Sequence, residues 1–480
     1  MRQYVALGFL GLASMALVMK LWSQPAPLHP LTSFYDYVPN YRAPLMVQTP
    51  KQPFAHLSMV KPTTEVESSV PSASAERQVS ILIAGDTGLN GSFQPVHAGF
   101  GLKHGARTAF SDATPHVAPL INADVNIANL ETVVTDHNNS TASLKLFGFR
   151  THPDAVRELM RIGFNVFSTA NNHSMDYGLD GARETMKHLR ALGVVHAGMG
   201  ENRNDAMSAK LIERKGVRFA FGALGIGGSG FGSLHSGEMR PGQLTVTERD
   251  LSDVATSLRD SQADYRVMSV HYGTEFDVTT SSSDRARFAR VIASGVDMII
   301  GHHQHVAAGI ELVNGAPVFY GLGNFLHWGT QDMGRHDMCH DYGLVARVHL
   351  GGKEGERLAV KAIEAIPVTE MHIKPRRLGA IASSERVQAL NYLNRQFGEN
   401  GVRFAVEADG TGLYCAPGAD TLRDEIGARC ASGAAYVPPS PALEARIATA
   451  CARRVVRIVE EEQSPPEIMQ LGLASTNALN

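Results

Sequence analysis

Val296-Asp-Met-Ile-Ile300 running into Gly301-His302-His303-Gln304-His305 is the stretch whose reading decides the fold. A short apolar run that ends in glycine and then presents imidazoles two residues apart reads as a β-strand. It delivers His303 and His305 to one lip of a sheet, where a borderline transition metal can use both. Alone, the cluster fits a histidine-rich polar loop equally well. Four other segments repeat its pattern: Val79-Ser-Ile-Leu-Ile-Ala84 runs into Gly85-Asp86, Val125-Asn-Ile-Ala128 into Asn129-Leu130-Glu131, Val166-Phe-Ser-Thr-Ala170 into Asn171-Asn172-His173, and Arg266-Val-Met-Ser-Val270 into His271-Tyr272-Gly273-Thr274-Glu275. Ligands collect at the carboxyl ends of strands in open α/β sheets, so five strand ends loaded with Asp, Glu, Asn and His describe one pocket.

The intervening segments fit a layered α/β fold. Pro153 to Ile162 starts with proline at a first helical position and stops before Gly163, and Leu179 to Leu192 has helical apolar spacing that ends at Gly193. Ser283-Asp284 predicts a cap for a helix through Ala293, with Gly295 beyond it. Ile310 to Tyr320 predicts a hairpin about Asn314-Gly315. Gly222 to Gly232 lacks a Walker lysine and a GxGxxG arrangement, and reads as a flexible loop. His327, His336 and His340, with Asp332, Asp337, Cys339 and Asp341 among them, read as a solvated loop beside the site.

Arg2 precedes an apolar run from Tyr4 to Met19, followed by Lys20, which suits a secretory signal. Leu21-Trp22-Ser23 is a poor small-x-small cleavage site. An uncleaved signal anchor over residues 1–23 is therefore favoured over a cleaved signal peptide. Residues 24–78, rich in Pro, Ser and Thr, cannot build a core and read as a linker. The chain of 480 residues, 44% hydrophobic, can bury one large core plus an appendage. A net charge of −3 offers no basic footprint for nucleic acid. The four cysteines, at 339, 415, 430 and 451, have no C-x-x-C spacing. In an oxidising compartment Cys415 with Cys430 is the simplest of three pairing schemes, closing a loop of about 15 residues worth roughly 3 kcal/mol. Leu358 to Val368 predicts a last strand pair, Ser384 to Phe397 a helix, and Ala442 to Glu462 another helix carrying Arg453, Arg454 and Arg457 on a solvated face.

Gly85-Asp86, Asn129-Leu130-Glu131, Ala170-Asn171-Asn172-His173 with Asp176 and Gly178, His271-Tyr272-Gly273-Thr274-Glu275, the His303-Gln304-His305 pair, Gly309-Ile310-Glu311 and Leu322-Gly323-Asn324-Phe325 together resemble the ordered motif set of the CapA family. That family is linked to poly-γ-glutamate capsule synthesis and is similar in fold to calcineurin-like metallophosphoesterases. The resemblance spans roughly Val79 to Leu350. Gln304 stands where the family usually has Pro, Tyr272 where Trp is usual and Gly321 where Ser is usual, departures that touch substrate fit more than metal binding.

The resemblance implies a four-layer αββα metallophosphoesterase-like sandwich over residues 79–370, followed by a C-terminal extension over 371–480. It places Asp86 as the first metal-binding carboxylate, Glu131 as the metal-bridging one, Asn172 as an amide ligand, and His271, His303 and His305 as imidazole ligands. Gly88 stands where ordinary metallophosphoesterases have a further histidine, which weakens one metal position. His173 would face the leaving group. Asp176 fits either catalysis or helix capping near Gly178. Asn129, Asn171, Glu275, Glu311 and Asn324 would line the pocket or hold the ligands, roles that local sequence does not separate from turn formation.

Mixed oxygen and nitrogen ligation suits one or two divalent ions, with Mn, Zn or Fe the best candidates. Two of them about 3.5–4 Å apart would turn a bridging water into hydroxide near neutral pH. The expectation is a membrane-anchored, extracytoplasmic hydrolase acting on a phosphoester or amide bond in the synthesis, release or anchoring of an anionic capsule polymer such as poly-γ-glutamate. Its partners would be that polymer or its precursor, the membrane and other capsule synthesis subunits, but not nucleic acid. The rival expectation is a non-catalytic polymer-binding or assembly subunit of a capsule export machinery.

Overall fold

Alternation along the first strand, Glu76–Gly88, explains why two sheets form. Val79, Ile81 and Ile83 enter one core, while Leu82 and Ala84 enter another on the opposite face. A strand apolar on both faces has to be covered on both. The computed structural model describes residues 76–142, 145–227, 235–433 and 435–455, which lie in one compact unit. The expected signal anchor over 1–23 and the linker over 24–78 lie outside the described residues, except that residues 76–78 open this first strand. Among the described residues no helix is long and apolar enough to cross a membrane.

The ten-stranded sheet has the order Ala405–Val406, Gly412–Cys415, Ala359–Thr369, Gly343–Lys353, Glu76–Gly88, Val125–Leu130, Val166–Ser168, Val195–Ala197. Asn324–His327 pairs in parallel with the end of Glu76–Gly88, and Arg376–Arg377 pairs with Ala359–Thr369. The six-stranded sheet runs Lys210–Arg214, Val217–Gly225, Tyr265–His271, Met298–His302, Ala316–Phe319, Ile310–Val313. Its four central strands are parallel.

Val79, Ile81 and Ile83 meet Phe219, Phe221, Val267, Met298 and Ile300 between the two sheets. The outer face of the first sheet packs on Val156 and Leu159 of helix Pro153–Arg161 and on Leu189 of helix Gly178–Leu192. The outer face of the second packs on Val254 and Leu258 of helix Glu248–Asp260 and on Phe288 and Val291 of helix Ser282–Ala293. The layers are therefore helix, sheet, sheet, helix, and the chain is a mixed α/β fold.

Helix Pro153–Arg161 has Pro153 in its first turn, and Gly193, at φ 68°, closes Gly178–Leu192. The cap of Ser282–Ala293 is Ser281, whose side chain accepts from the Asp284 backbone N–H, rather than Ser283. The predicted hairpin forms, with Asn314 at φ 51° and Gly315 at φ 81° in its turn. Gly222 to Gly225 belong to strand Val217–Gly225 instead of a loop, because parallel pairing with Tyr265–His271 continues to Gly225; residues 228–234 lie outside the described ones.

In the C-terminal region Ala359–Thr369 is one continuous strand rather than a pair, paired along its length with Gly343–Lys353. Helix Ala380–Asn394 starts four residues before the predicted Ser384 and gives way to a 3-10 turn at Arg395–Asn400. The last helix is Pro441–Cys451, so Arg453 and Arg454 follow it rather than ride on it, and Arg457 lies outside the described residues. Strands Ala405–Val406 and Gly412–Cys415 extend the main sheet, so the 371–480 segment is in part continuous with the preceding domain. The Cys415–Cys430 disulfide is present, and Cys339–Cys451 ties the loop after Asn324–His327 to the last helix.

Candidate metal centre

Both sheets aim the carboxyl ends of their parallel strands at one place. Gly85 permits this at the first strand, because a Cβ there would meet the Gly323 carbonyl oxygen at 1.9 Å. The close approach lets the Asp86 N–H donate to that carbonyl at 3.0 Å and sets the Asp86 carboxylate at the sheet end. His303 then donates its backbone N–H to Asp86 Oδ2 at 3.2 Å, joining the two sheets across the site. His303 and His305 have φ of 97° and 57°, left-handed values that cost of order 1–3 kcal/mol for a side-chain-bearing residue. That backbone turns both imidazoles inward.

Asp86, Glu131 and His271 are wholly buried, and His303 and His305 nearly so. Glu131, His271 and His303 form one group whose donor atoms all lie within 4.8 Å of one another, and Asp86, Glu131 and His305 form a second. Glu131 is common to both. Its Oε1 is 3.5 Å from His271 Nε2, and its Oε2 is 3.9 Å from His305 Nδ1. His271 Nε2 also lies 2.6 Å from Asn172 Oδ1 and 3.1 Å from His303 Nδ1. All six residues expected as ligands are thus brought together.

The other expected residues divide. Asn129 donates to Asp86 Oδ1 at 2.8 Å, Asn171 donates to the Leu130 carbonyl at 2.9 Å and accepts from the His173 N–H, and Asn324 Oδ1 sits 2.8 Å from His305 Nδ1. Glu275 lines the adjoining cleft, and its charge reaches Glu131, His303 and His305. Glu311 is a correction to the pocket-lining expectation. It is tied to Arg285 at 2.8 Å and to the Tyr320 hydroxyl, under helix Ser282–Ala293. Asp176 does not cap a helix: the N-cap of Gly178–Leu192 is Tyr177, with no side-chain cap bond. Its carboxylate instead holds His173 Nδ1 at 2.7 Å and accepts from Lys145 Nζ at 2.6 Å and the Phe149 N–H at 2.7 Å. His173 Nε2 is left facing Glu131 Oε1 at 3.9 Å.

Three residues carry no assigned role in the predicted site, although His302 belongs to the histidine cluster that marks it. Lys145 is a lone lysine in a loop with no periodicity to mark it. His302 is wholly buried, with Nδ1 3.2 Å from Asp86 Oδ1 but not aligned for a hydrogen bond. His327, predicted in a solvated loop, ends strand Asn324–His327 and is wholly buried, with Nε2 3.5 Å from Glu131 Oε2. Its signal was present: Phe325-Leu326-His327 is another apolar run ending in histidine. His340, also predicted solvated, is buried and lies 3.0 Å from Asp337.

Electrostatics follow from burial of opposite charges in a dry pocket. Burial pushes Asp86 up, but the imidazoles of His302 and His305 outweigh it and hold the carboxyl well below the usual range. Glu131 is pushed well up, by burial and then by the Asp86 charge. Burial would lower His305, yet the carboxylates of Glu131 and Asp86 raise it to about 9. Burial takes His303 and His173 down to about 4, against the pull of nearby carboxylates.

Both Glu131 oxygens, His327 Nε2 and both His302 nitrogens are buried with no hydrogen-bond partner. Each orphaned polar group costs about 1–3 kcal/mol, a penalty that a cation removes for the carboxylate oxygens and for an imidazole lone pair. Paired carboxylates, imidazoles and an amide oxygen therefore fit a divalent metal.

Residues 80–328 match the family described as bacterial capsule synthesis protein PGA_cap, and every candidate ligand falls in that span. The chain belongs to this family. Among its relatives, the PGA biosynthesis protein CapA of Bacillus subtilis is 30% identical over 214 residues, 44% of this chain and 55% of that protein. The capsule biosynthesis protein CapA of Bacillus anthracis is 29% identical over 217 residues, 44% of this chain and 52% of that protein. The chain thus spans about half the length of the curated relatives it matches. Among solved structures, the NAD nucleotidase of Haemophilus influenzae overlaps with a TM-score of 0.34 at 14% identity, over 68% of this chain and 57% of that one. The sulfate thiohydrolase SoxB of Thermus thermophilus overlaps with a TM-score of 0.31 at 12% identity, over 64% and 59%. These overlaps are weak, and the layer order stands on the strand pairing itself.

Proposed function

We propose that this chain is a metal-dependent hydrolase on a metallophosphoesterase-like sandwich, acting outside the cytoplasm in the synthesis, release or anchoring of an anionic capsule polymer such as poly-γ-glutamate. The observation that carries the reading is Glu131, shared by two buried donor groups with both oxygens otherwise unpartnered. Asp86, Glu131 and His305 would hold one ion, and Glu131, Asn172, His271 and His303 another. Bound there, divalent ions supply hydroxide near neutral pH and stabilise the attacking and leaving oxygens.

The chain's own groups do the rest. Asp176 fixes the His173 proton on Nδ1, so the neutral ring presents Nε2 toward the Glu131 edge, where it can take up and hand on a proton. A cleft of about 490 Å³ beside the site, lined by Glu275, Phe276, Arg453 and Arg454 among others, gives a polymer end room, with arginines to meet its negative charge. In hydrolysis the water oxygen bonds to phosphorus or to the amide carbon, the ester or amide bond breaks, and the leaving atom takes a proton.

A second reading, a polymer-binding or assembly subunit without turnover, is favoured by Gly88, which offers no donor. Full-length protein purified without chelator, assayed for metal content and then against phosphoesters and γ-glutamyl amides, separates the two. Turnover that disappears in Glu131→Gln and His173→Ala supports the hydrolase. Metal-loaded protein that binds poly-γ-glutamate and turns over none of the panel supports the second reading.

A further inference from the structure

Gly88 and His327 are register partners on adjacent parallel strands. A Cβ built on Gly88 would lie 3.4 Å from His327 Cε1 and 3.5 Å from its Nε2, so the imidazole stands beside the space that a side chain at 88 would enter. The ring is wholly buried. Phe149 holds it edge-on at 5.1 Å between centroids, and the His305 ring lies 5.9 Å away.

Its Nε2 and Glu131 Oε2 face each other at 3.5 Å, and neither has a hydrogen-bond partner. That separation is too long for a good N–H···O hydrogen bond. It matches the edge between two donors on one tetrahedral ion: with metal–ligand distances near 2.1 Å, adjacent donors stand about 3.4 Å apart. The neighbouring candidate pairs bracket that spacing, at 3.1 Å for His303 with His271, 3.3 Å for His305 with Asp86, 3.5 Å for His271 with Glu131 and 3.9 Å for His305 with Glu131.

We infer that His327 Nε2 is a ligand of the Asp86–Glu131–His305 metal position, supplied by strand Asn324–His327 in place of the donor that position 88 lacks. The inference rests on the metal-centre reading proposed above. It turns the weakest position of the pair into one with two carboxylates and two imidazoles. A ligating Nε2 requires the ring proton on Nδ1. The Gly329 N–H lies 3.1 Å from Nδ1, which favours the opposite tautomer in the metal-free ring, so loading exchanges that turn contact for a metal bond. The competing role is a proton donor: Nε2–H held toward Glu131, with no metal bond.

Cobalt(II) titration of the metal-free full-length chain, followed by visible absorption and by metal content after gel filtration, tests this. Wild type should bind two equivalents. His327→Phe, which keeps an aromatic ring, and His327→Gln, which keeps an N–H, should each retain one equivalent and bind the second at least 100-fold more weakly. Gly88→His in a His327→Ala background should restore the second equivalent. Melting in EDTA within a few degrees of wild type shows that the variants are folded. Two equivalents at wild-type affinity in both single variants would overturn the assignment. So would a His327→Gln that behaves as wild type while His327→Phe does not, since that is the proton-donor result. A wild type that binds no metal refutes the underlying metal centre and this inference with it.

Discussion

Replacing Glu131 with glutamine should move metal affinity and metal-free stability in opposite directions. The substitution keeps shape and removes charge. Because Glu131 belongs to both donor groups, each ion loses a carboxylate. Loss of a residue that merely supports a ligand costs 10–100-fold in affinity, so loss of a shared ligand should cost at least about 100-fold at each position, or about 2.7 kcal/mol. The metal-free fold has the reverse interest. Burial and the Asp86 charge both oppose ionisation of Glu131, and neither oxygen has a hydrogen bond, so the carboxyl is a liability until a cation arrives. A carboxyl raised in the fold has to take up a proton or keep its charge in a dry pocket, and either costs stability above its ordinary value of 4.5, a cost that glutamine avoids. The metal-free variant should melt at least about 2 °C above metal-free wild type. Differential scanning calorimetry with EDTA and with excess Mn(II), beside metal analysis of protein purified without chelator, reads both effects. The metal-induced rise in melting temperature should largely vanish in the variant. Retained wild-type metal content, or a metal-free variant less stable than wild type, would refute the reasoning.

His305→Ala should lower metal content and any turnover together, whereas His173→Ala should spare metal and reduce turnover by about 10²–10⁴-fold; equal metal loss in both would show that His173 is a ligand. Metal uptake should be proton-linked. His305, raised to about 9 by Glu131 and Asp86 against burial, carries a proton at pH 7 that the ion has to displace, so affinity should rise with pH toward 9 by about tenfold per unit and level off above it, as isothermal titration at several pH values would record. Glu364→Gln should destabilise the fold at neutral pH. Burial opposes the charge of Glu364, but His349 at 3.1 Å and Arg347 at 2.7 Å hold it down to about 2, and Arg429 also donates to it at 2.9 Å. A depressed carboxyl contributes its stability above the ordinary value of 4.5 and loses it as pH falls through about 2, so a gap of at most roughly 3 kcal/mol in urea unfolding between wild type and variant at pH 7 should close across that window.

The strand ends were legible because each pairs an apolar run with metal-competent residues inside a few consecutive positions, and parallel sheets put those ends on one side. That logic places Asp86, Glu131, Asn172, His271, His303 and His305 without knowledge of the pairing. His327 carries the same signal, an apolar run ending in histidine, but the polar residues that follow from Thr330 to Asp341 make the segment read as a loop, and its burial comes from pairing with Gly88, far away in the chain. Glu311 shows the opposite error: it belongs to a family motif, yet Arg285 on a helix outside the sheet claims its charge. Lys145 and Asp176 form a contact whose partners are separated by a helix and two strands, and nothing periodic announces it. The shift of a cap from Ser283 to Ser281 is a smaller case, since three serines precede Asp284 and local sequence does not rank them. The Cys339–Cys451 bridge is the pair left once Cys415 takes Cys430, but the folding back of the last helix toward the loop after His327 that makes it is not legible in the spacing.

The central claim is a pair of ions that share Glu131. Anomalous diffraction from crystals grown with Mn(II), recorded on both sides of the manganese edge, tests it most directly. The account predicts two peaks about 3.5–4 Å apart, one beside Asp86 and His305 and the other beside His271 and His303, with the Glu131 carboxylate between them. No peak, or manganese bound away from Glu131, would contradict it.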